Sequence, residues 1–179
     1  MKNIVFIGGI HGVGKSYLTE KISSQLGIRS YSASKLISML KEKEFSTNKY
    51  IDSIDTNQDQ LIHSIELNTN DTESFLLDGH FCLLNINREV EKVPKTTFLA
   101  MSPRAIVVLF DSIVSIKKRL DARDSIIYET DFLERFQDSE LEYAKEISEL
   151  LDVPILLFDV TNGDLTNLSH FTRNIFNPL

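Results

Sequence analysis

Residues 9–16 read Gly-Ile-His-Gly-Val-Gly-Lys-Ser, and this spacing of glycines before a lysine and a serine decides the fold. The glycines let the backbone curl so that successive N–H groups point inward, an arrangement that suits phosphate oxygens. A short apolar run, Ile4 to Ile7, precedes the stretch, and an amphipathic pattern from Lys15 to Leu26 follows it. Because the amino-terminal end of a helix also attracts anions, this order of strand, loop and helix predicts an anion cradle.

The lysine and the serine extend this prediction to a nucleoside triphosphate. Lys15 supplies a mobile cation to the β- and γ-phosphates, and the Ser16 hydroxyl is a ligand for the accompanying Mg²⁺. The bare spacing also occurs in unrelated chains, but the preceding strand and following helix distinguish a phosphate-binding loop, the P-loop. His11 stands at an unspecified position of the pattern, where we expect an exposed side chain. We expect ATP and Mg²⁺ as cofactors, with ATP bound by Gly9, His11, Gly12, Val13, Gly14, Lys15, Ser16 and Tyr17.

Composition limits the other classes of function. The chain has 179 residues, 42% hydrophobic and 25% charged, which predicts a single globular domain over residues 1–179. Its net charge of -7 argues against bulk nucleic-acid binding, since the one tight cationic cluster spans residues 117–123. Cys82 is the only cysteine, which excludes an intramolecular disulfide. The amino-terminal apolar run is too short for a signal peptide or a membrane span, so we expect a cytoplasmic protein.

Apolar runs without polar alternation predict strands that are buried on both faces of a parallel sheet. Helical patterns separate them, at Lys15 to Leu26, Ser34 to Lys43, Ser112 to Ala122 and Asp131 to Leu151. Polar residues 44–60 and aperiodic residues 85–97 are predicted insertions over the functional edge. We therefore expect an α/β, three-layer P-loop fold with a mostly parallel five-stranded sheet and helices on both faces. The four apolar runs are Ile4 to Ile7, Phe75 to Leu77, Ala105 to Phe110 and Ile155 to Phe158, and a fifth, weaker strand is expected around Ile28 to Tyr31.

An acidic residue follows three of these strands and could hold Mg²⁺, usually through water. The three residues are Asp78, Asp111 and Asp159, and each could instead be a turn or capping carboxylate. At most one or two of these three carboxylates can bind the metal. We select Asp78, with Ser16 as the second metal ligand, because Gly79 and His80 follow Asp78 in a compact turn that could admit substrate.

The segment Ser74-Phe75-Leu76-Leu77-Asp78-Gly79 resembles the strand and turn of adenylate kinases and related nucleoside monophosphate kinases. Asp78-Gly79-His80 is closer still to the Asp-x-His element of archaeal-type adenylate kinases and the adenylate kinase isoenzyme 6 group. The resemblance implies transfer of the ATP γ-phosphate to a nucleotide or similar small acceptor. In the isoenzyme 6 group the corresponding histidine is tied to ATP hydrolysis. His80 could orient a water or an acceptor phosphate, or be a buried histidine bonded to a backbone carbonyl.

Two arginines complete the predicted catalytic set of Lys15, Asp78, His80, Arg119 and Arg123. Arg119 and Arg123 lie four residues apart on one predicted helix face and can converge on one anion, although they could equally decorate a solvated face. The resemblance implies that this helix leads into a short lid, at about residues 120–132, that closes over ATP. Arg123 is the stronger candidate, and Arg135 on the next helix is a weaker one.

The acceptor site departs from the resembling families. Where those have an Asp and an Arg that grips the monophosphate, within an insert at about residues 32–70, this chain has Lys35 and Ser38. Lys35, Lys41 or Arg88 could supply the missing charge. The identity of the acceptor is therefore left open.

Two alternative functions remain. One is an ATPase switch or assembly factor of the isoenzyme 6 kind, acting on a protein or ribonucleoprotein partner. The other is a small-metabolite kinase, since the same scaffold serves shikimate and gluconate kinases. A GTPase is disfavoured because Asn48-Lys49-Tyr50-Ile51-Asp52 has the wrong spacing and position for guanine recognition.

Overall fold

The computed structural model describes residues 3–45, 54–70, 72–85, 87–123 and 127–177, with side chains at 41–45 and 54–57 left aside. In this part of the chain, strands and helices follow the order β1 (Asn3–Gly8), α1 (Lys15–Leu26), β2 (Arg29–Ser32), α2 (Ala33–Phe45), α3 (Ile54–Asn68), β3 (Ser74–Asp78), β4 (Cys82–Leu84), β5 (Val90–Lys92), α4 (Lys95–Met101), β6 (Ala105–Phe110), α5 (Ile113–Arg123), α6 (Thr130–Leu151), β7 (Ile155–Asp159) and α7 (Leu165–Phe176).

The main sheet has five strands in the order β2, β3, β1, β6 and β7, and all neighbouring pairs are parallel. Strand β1 lies at its centre, and its residues 4–7 are at most 2% exposed. A strand covered on both faces needs apolar side chains at successive positions, which explains the unbroken run from Ile4 to Ile7. The expected α/β fold with a five-stranded parallel sheet is confirmed.

Helices surround this sheet in two groups. Helix α1 packs on β1 and β3 and also contacts α7. Helix α6 packs on β6 and β7 and contacts α4 and α5. The periodic patterns located α1, α2, α5 and α6 to within two residues at each end, because each of these helices buries a regular apolar face.

Five elements, three helices and two short strands, were not predicted from the sequence. Helix α3 occupies part of the stretch that was expected to be an insertion, because its buried positions include polar Gln58 and Ser64 beside Leu61 and Ile65, which weakens the apolar period. Helix α4 and the antiparallel β4–β5 hairpin lie within or near residues 85–97, and both are too short to show a clear pattern. Helix α7 was not assigned at all. The expectations for residues 46–53 lie outside the described residues.

The carboxyl ends of the parallel strands meet at one edge of the sheet. Ile7 pairs with Asp78, and Phe110 pairs with Asp159. The loop after β1 and the acidic residues after β3, β6 and β7 therefore share this edge, where open parallel sheets place their ligands.

Part of the expected lid falls outside the description. Helix α5 ends at Arg123 and α6 begins at Thr130, while residues 124–126 between them are among those not described. Among the described helices, none combines the length and the apolar character that crossing a bilayer requires.

Candidate active site

The loop between β1 and α1 has the curled backbone that its glycines predict. Gly9 and Gly12 have φ angles of 143° and 78°, in a region that residues with a side chain rarely adopt. A Cβ atom at Gly9 would lie 2.7 Å from the Leu109 carbonyl oxygen, and one at Gly12 would lie 2.7 Å from Leu120 Cγ. Both glycines are therefore required by backbone conformation and by space. The loop delivers the chain directly to the first turn of α1 at Lys15.

Lys15 is buried, with 8% of its surface exposed, and its ammonium group turns back over the loop. Nζ donates hydrogen bonds to the carbonyl oxygens of Gly9 at 2.6 Å and Ile10 at 3.1 Å. Burial lowers the pKa of Lys15 to about 8, although the charges of Asp78 and Glu140 oppose this shift. A phosphate in the loop would compete with the two carbonyls for this cation and would favour its charged form.

Asp78, the residue predicted to bind the metal, lies beside the first turn of helix α1. Its Oδ2 accepts a hydrogen bond from the Ser16 hydroxyl at 3.0 Å. Burial raises the pKa of Asp78, while Lys15 and Ser16 oppose the shift. A hydroxyl and one carboxylate beside a phosphate cradle fit Mg²⁺, which keeps water and phosphate oxygens among its ligands. No group of three or more His, Cys, Asp or Glu side chains in the described ranges could hold a metal by itself.

The two alternative carboxylates have other partners. Asp111 accepts hydrogen bonds from Arg119 at 2.6 Å and from the Thr161 hydroxyl at 2.7 Å. Asp159 accepts from the backbone N–H groups of Thr161 and Asn162. Asp159 thus stabilises the turn after β7, while Asp111 holds an arginine. Of the three carboxylates, Asp78 is the one that bonds to the Ser16 hydroxyl.

His80 lies against the loop rather than in solvent. Its ring meets the His11 ring edge to face, with centroids 4.3 Å apart, and its Nδ1 lies 3.3 Å from the Gly79 carbonyl oxygen. Burial lowers the pKa of His80 well below the ordinary 6.5, and the charge of Lys15 adds to the shift. His80 is therefore a neutral imidazole near neutral pH. His11 is exposed, as expected, but it contacts His80 and also faces the Phe136 ring at 6.4 Å.

Both candidate arginines line the same cavity as the loop. Arg119 Nε donates to the Gly12 carbonyl oxygen at 2.7 Å, and Nη2 pairs with Asp111, so this side chain is fixed against the loop. Arg123, one turn later, is close enough for its charge to depress the pKa of Lys15. The two arginines and Lys15 therefore concentrate positive charge at one place.

Three weaker cationic candidates lie outside the cavity lining, and one of them, Lys35, is close enough to Asp78 for its charge to oppose the rise in that pKa. Arg135 is exposed on α6, Lys35 is exposed on α2, and Arg88 is exposed in the β4–β5 turn; none of them lines the cavity. Lys41 belongs to the stretch whose side chains are not described. Of the side chains that could replace the missing acceptor arginine, none of those described lines the cavity.

Glu140 is a structural partner of the loop that sequence reasoning missed. It is 1% exposed, and its carboxylate accepts hydrogen bonds from the N–H groups of Gly9 and Phe81 at 2.9 Å each and of Cys82 at 2.6 Å. Burial raises the pKa of Glu140, while these donors oppose the shift. The available signal was an acidic residue on the apolar face of α6, in step with Phe136 and Ala144.

A cavity of about 520 Å³ extends from the P-loop between α2, α3 and α4. Its P-loop end carries the charged residues Lys15, Asp78, Arg119 and Arg123 together with both histidines. Its far end is mostly apolar and is formed by side chains from β1, α2, α3, the β4–β5 region and α4. The cavity therefore combines a phosphate-binding end with a pocket of different chemistry.

Fold and loop together define a P-loop protein with the architecture of small kinases. The chain belongs to the AAA domain family, whose model matches residues 8–134. The matched range includes the loop, Asp78, His80 and both arginines. A comparison with functionally described proteins by sequence finds no match.

Solved structures share the fold at low sequence identity. A gluconokinase from Sinorhizobium meliloti 1021 aligns with a TM-score of 0.53 and 16% identity, over 98% of this chain and 91% of its own. Shikimate kinase from Acinetobacter baumannii in complex with shikimate aligns with a TM-score of 0.59 and 12% identity, over 97% of this chain and 91% of its own. An uncharacterized protein from Eubacterium ventriosum ATCC 27560 aligns with a TM-score of 0.53 and 13% identity, over 99% of both chains. At these identities the likeness shows the fold alone, and the archaeal-type adenylate kinase grouping is not among these findings.

Proposed function

We propose that this protein is an ATP- and Mg²⁺-dependent kinase that phosphorylates a small molecule. The observation that carries the proposal is the two-ended cavity, in which Lys15, Arg119 and Arg123 gather at the P-loop end and a mostly apolar pocket continues beyond Asp78. A protein that only bound nucleotide would not need this second pocket. The proposal agrees with the printed activities of two structural neighbours, a gluconokinase and a shikimate kinase.

Each residue has a physical role in this proposal. The backbone N–H groups of the loop and the amino-terminal end of α1 bind the β- and γ-phosphates, and Lys15 neutralises part of their charge. Arg119 and Arg123 stabilise the charge that spreads over the transferred group in the transition state. Ser16 and Asp78 would hold Mg²⁺, which when bound neutralises the phosphates and fixes their orientation.

His80 need not act as a base under this proposal. Phosphoryl transfer depends mainly on positioning and positive charge, and an acceptor hydroxyl loses its proton late. A neutral imidazole beside the loop suits a role as a hydrogen-bonding or packing group, and His11 holds its ring in place.

The experiment measures ADP formation by the purified protein with ATP and Mg²⁺, with and without candidate acceptors. The acceptors are nucleoside monophosphates, sugar acids, shikimate and uncharged alcohols. Acceptor-dependent ADP formation that Lys15→Ala abolishes supports the kinase. Lys145→Ala, which removes an exposed lysine on α6, is the control that should keep full activity.

An ATPase switch is the second candidate, favoured by the Asp78-Gly79-His80 turn at the edge of the loop. In that case a water, oriented near His80, replaces the acceptor, and a protein or ribonucleoprotein partner responds to hydrolysis. A slow ADP release that no acceptor stimulates, but that Lys15→Ala and His80→Ala both reduce, would favour the switch over the kinase. The nucleotide acceptor of the adenylate kinase type is the finer version of the kinase proposal, and the same panel of acceptors tests it.

A further inference from the structure

Asp111 carries a buried carboxylate directly after β6, and 1% of its side-chain surface is exposed. Its Oδ2 pairs with Arg119 Nη2 at 2.6 Å, and its Oδ1 accepts a hydrogen bond from the Thr161 hydroxyl at 2.7 Å. One oxygen therefore holds helix α5, and the other holds the turn after β7. Because burial limits competition from water, each contact is stronger than a similar contact at the surface.

The position of this carboxylate is itself fixed by helix α6. Gln137 Oε1 accepts a hydrogen bond from the Asp111 backbone N–H at 3.1 Å, and Gln137 Nε2 donates to the Asp111 carbonyl oxygen at 3.0 Å. The Ser112 N–H also donates to Asp111 Oδ1 at 2.8 Å. Since both its backbone and its side chain are held, the carboxylate can orient the groups that bond to it.

Both segments that Asp111 holds contact the P-loop. Arg119 Nε donates to the Gly12 carbonyl oxygen at 2.7 Å. A Cβ atom at Gly14 would lie 3.7 Å from Val160 Cγ1, so the turn after β7 packs beside the last glycine of the loop. Gly12 and Gly14 have φ angles of 78° and 108°. The loop presents its N–H groups to phosphate only while this curl is kept, and its two neighbours help to keep it.

The ion pair also sets the direction of the Arg119 guanidinium. A guanidinium has five N–H donors, and the contacts with Gly12 and Asp111 use two of them. Arg119 lines the cavity at its P-loop end, so its position decides where the other donors are presented. A guanidinium that is already fixed loses less conformational entropy when it binds a phosphate than a mobile one does.

Resting on the ATP binding that the proposed kinase requires, we propose that Asp111 is a positioning residue for ATP. It holds Arg119 and the turn after β7 against the P-loop, so that the loop and the guanidinium have their binding geometry before the nucleotide arrives. Asp111 does not line the cavity. It therefore acts through Arg119 and Thr161 and not by contact with ATP.

The first test measures the Kd of a non-hydrolysable ATP analogue with Mg²⁺ by calorimetry. Asp111→Asn keeps the size of the side chain but removes its charge, and we expect the Kd to rise about tenfold. Thr161→Val removes the second contact alone and should raise the Kd about threefold. Asp138→Asn removes an exposed carboxylate on α6 that does not line the cavity, and it should leave the Kd unchanged.

Circular dichroism shows whether each variant is folded at the temperature of the titration. An unchanged Kd in folded Asp111→Asn would overturn the inference. If Asp111→Asn does not fold, Thr161→Val decides, because it leaves the buried ion pair in place, and an unchanged Kd in that variant would overturn the inference.

The second test separates positioning from a general structural effect. In an Arg119→Ala background the partner of Asp111 Oδ2 is gone, so adding Asp111→Asn should raise the Kd by no more than about threefold, the part carried by Thr161. A further rise of about tenfold would show that Asp111 acts independently of Arg119 and would overturn the inference.

These titrations need no acceptor, so they also separate this inference from the proposed function. If the wild type binds the analogue but no acceptor stimulates ADP formation, the proposed kinase fails, and the expected Kd changes would still support the role of Asp111. If the wild type does not bind the analogue, both proposals fail.

Discussion

Glu140 Oε1 accepts a hydrogen bond from the Gly9 backbone N–H at 2.9 Å, which joins helix α6 to the first residue of the P-loop. The same carboxylate accepts from Phe81 and Cys82 after β3, so one side chain fixes both the loop and the turn that follows Asp78. The loop and the turn both contribute lining residues to the same end of the cavity, among them Lys15 and His80. Their relative position therefore depends on a residue that itself does not line it.

Replacing Glu140 by Gln should weaken both the fold and the site. The amide oxygen can still accept from Gly9 and Phe81, but the amide nitrogen then faces the Cys82 N–H, and two donors oppose each other. We expect a loss of about 1–3 kcal/mol in the free energy of unfolding, measured by chemical denaturation. The KM for ATP should rise as well, because Gly9 loses its fixed position. Glu142→Gln, an exposed neighbour on α6, should change neither quantity, and an unaltered Glu140→Gln protein would contradict this role.

Arg123 should matter mainly in the transition state. Arg123→Ala should lower kcat by about 100-fold or more, while the KM for ATP changes little, because its charge is needed when the phosphoryl group moves. Arg119→Ala should also raise the KM for ATP, since Arg119 holds the Gly12 carbonyl and pairs with Asp111.

Steady-state kinetics of both variants and of Lys118→Ala check this prediction. Lys118 is exposed on the same helix and does not line the cavity, so its variant controls for the loss of positive charge. Equal losses in kcat and in ATP affinity for Arg123→Ala would show that Arg123 serves binding and not the chemical step.

The sequence predicted the parts of the molecule that depend on local pattern. The unbroken apolar run of β1 and the spacing of the P-loop glycines are local requirements of a buried strand and a curled loop, so both could be predicted directly. We paired Asp78 with Ser16 because Asp78 is at the end of a strand and Ser16 is at the start of a helix. Asp78 Oδ2 lies 3.0 Å from the Ser16 hydroxyl oxygen.

Other features depend on contacts between distant residues. Glu140 and Gly9 are separated by 131 positions in the sequence, and nothing near either residue indicates their contact. Gln58 lies in a helix whose buried face is partly polar, because a cavity rather than the hydrophobic core adjoins it. The apolar part of the cavity combines residues of β1, α2, α3 and α4, so no single stretch of sequence contains its pattern.

ATP affinity should depend on pH through Lys15. Burial lowers the pKa of Lys15 to about 8, and bound phosphates favour the protonated form. Below pH 8 the group is already charged, so this contribution to affinity is constant. Above pH 8 the ammonium must be reprotonated on binding, and affinity should fall by up to about tenfold for each pH unit.

Calorimetric titration with ATP in buffers of different ionisation enthalpy checks this, since proton uptake should appear above pH 8 and vanish at pH 7. Lys15→Arg is the informative variant, because a guanidinium remains charged throughout this range and should remove the pH dependence. Proton uptake that persists in Lys15→Arg would assign the titration to another group.

His80 should make the folded protein sensitive to mild acid. Its folded pKa lies well below 6.5, so below about pH 6.5 the unfolded chain binds a proton that the folded chain does not. Stability contributed by neutral His80 is therefore complete above pH 6.5 and decreases as the pH falls, by about 1 kcal/mol per pH unit. The raised pKa values of Asp78 and Glu140 act in the opposite direction at lower pH, because their folded forms bind protons more readily.

The contribution of His80 is therefore measured as a difference between proteins. Urea denaturation of the wild type and of His80→Asn is compared between pH 7.5 and pH 5.5. The wild type should lose more stability over this interval than His80→Asn, because asparagine takes up no proton in the unfolded chain. His170→Asn removes an exposed histidine on α7 and should follow the wild type. If His80→Asn also follows the wild type, His80 is protonated in the folded protein, and its neutral role beside His11 is excluded.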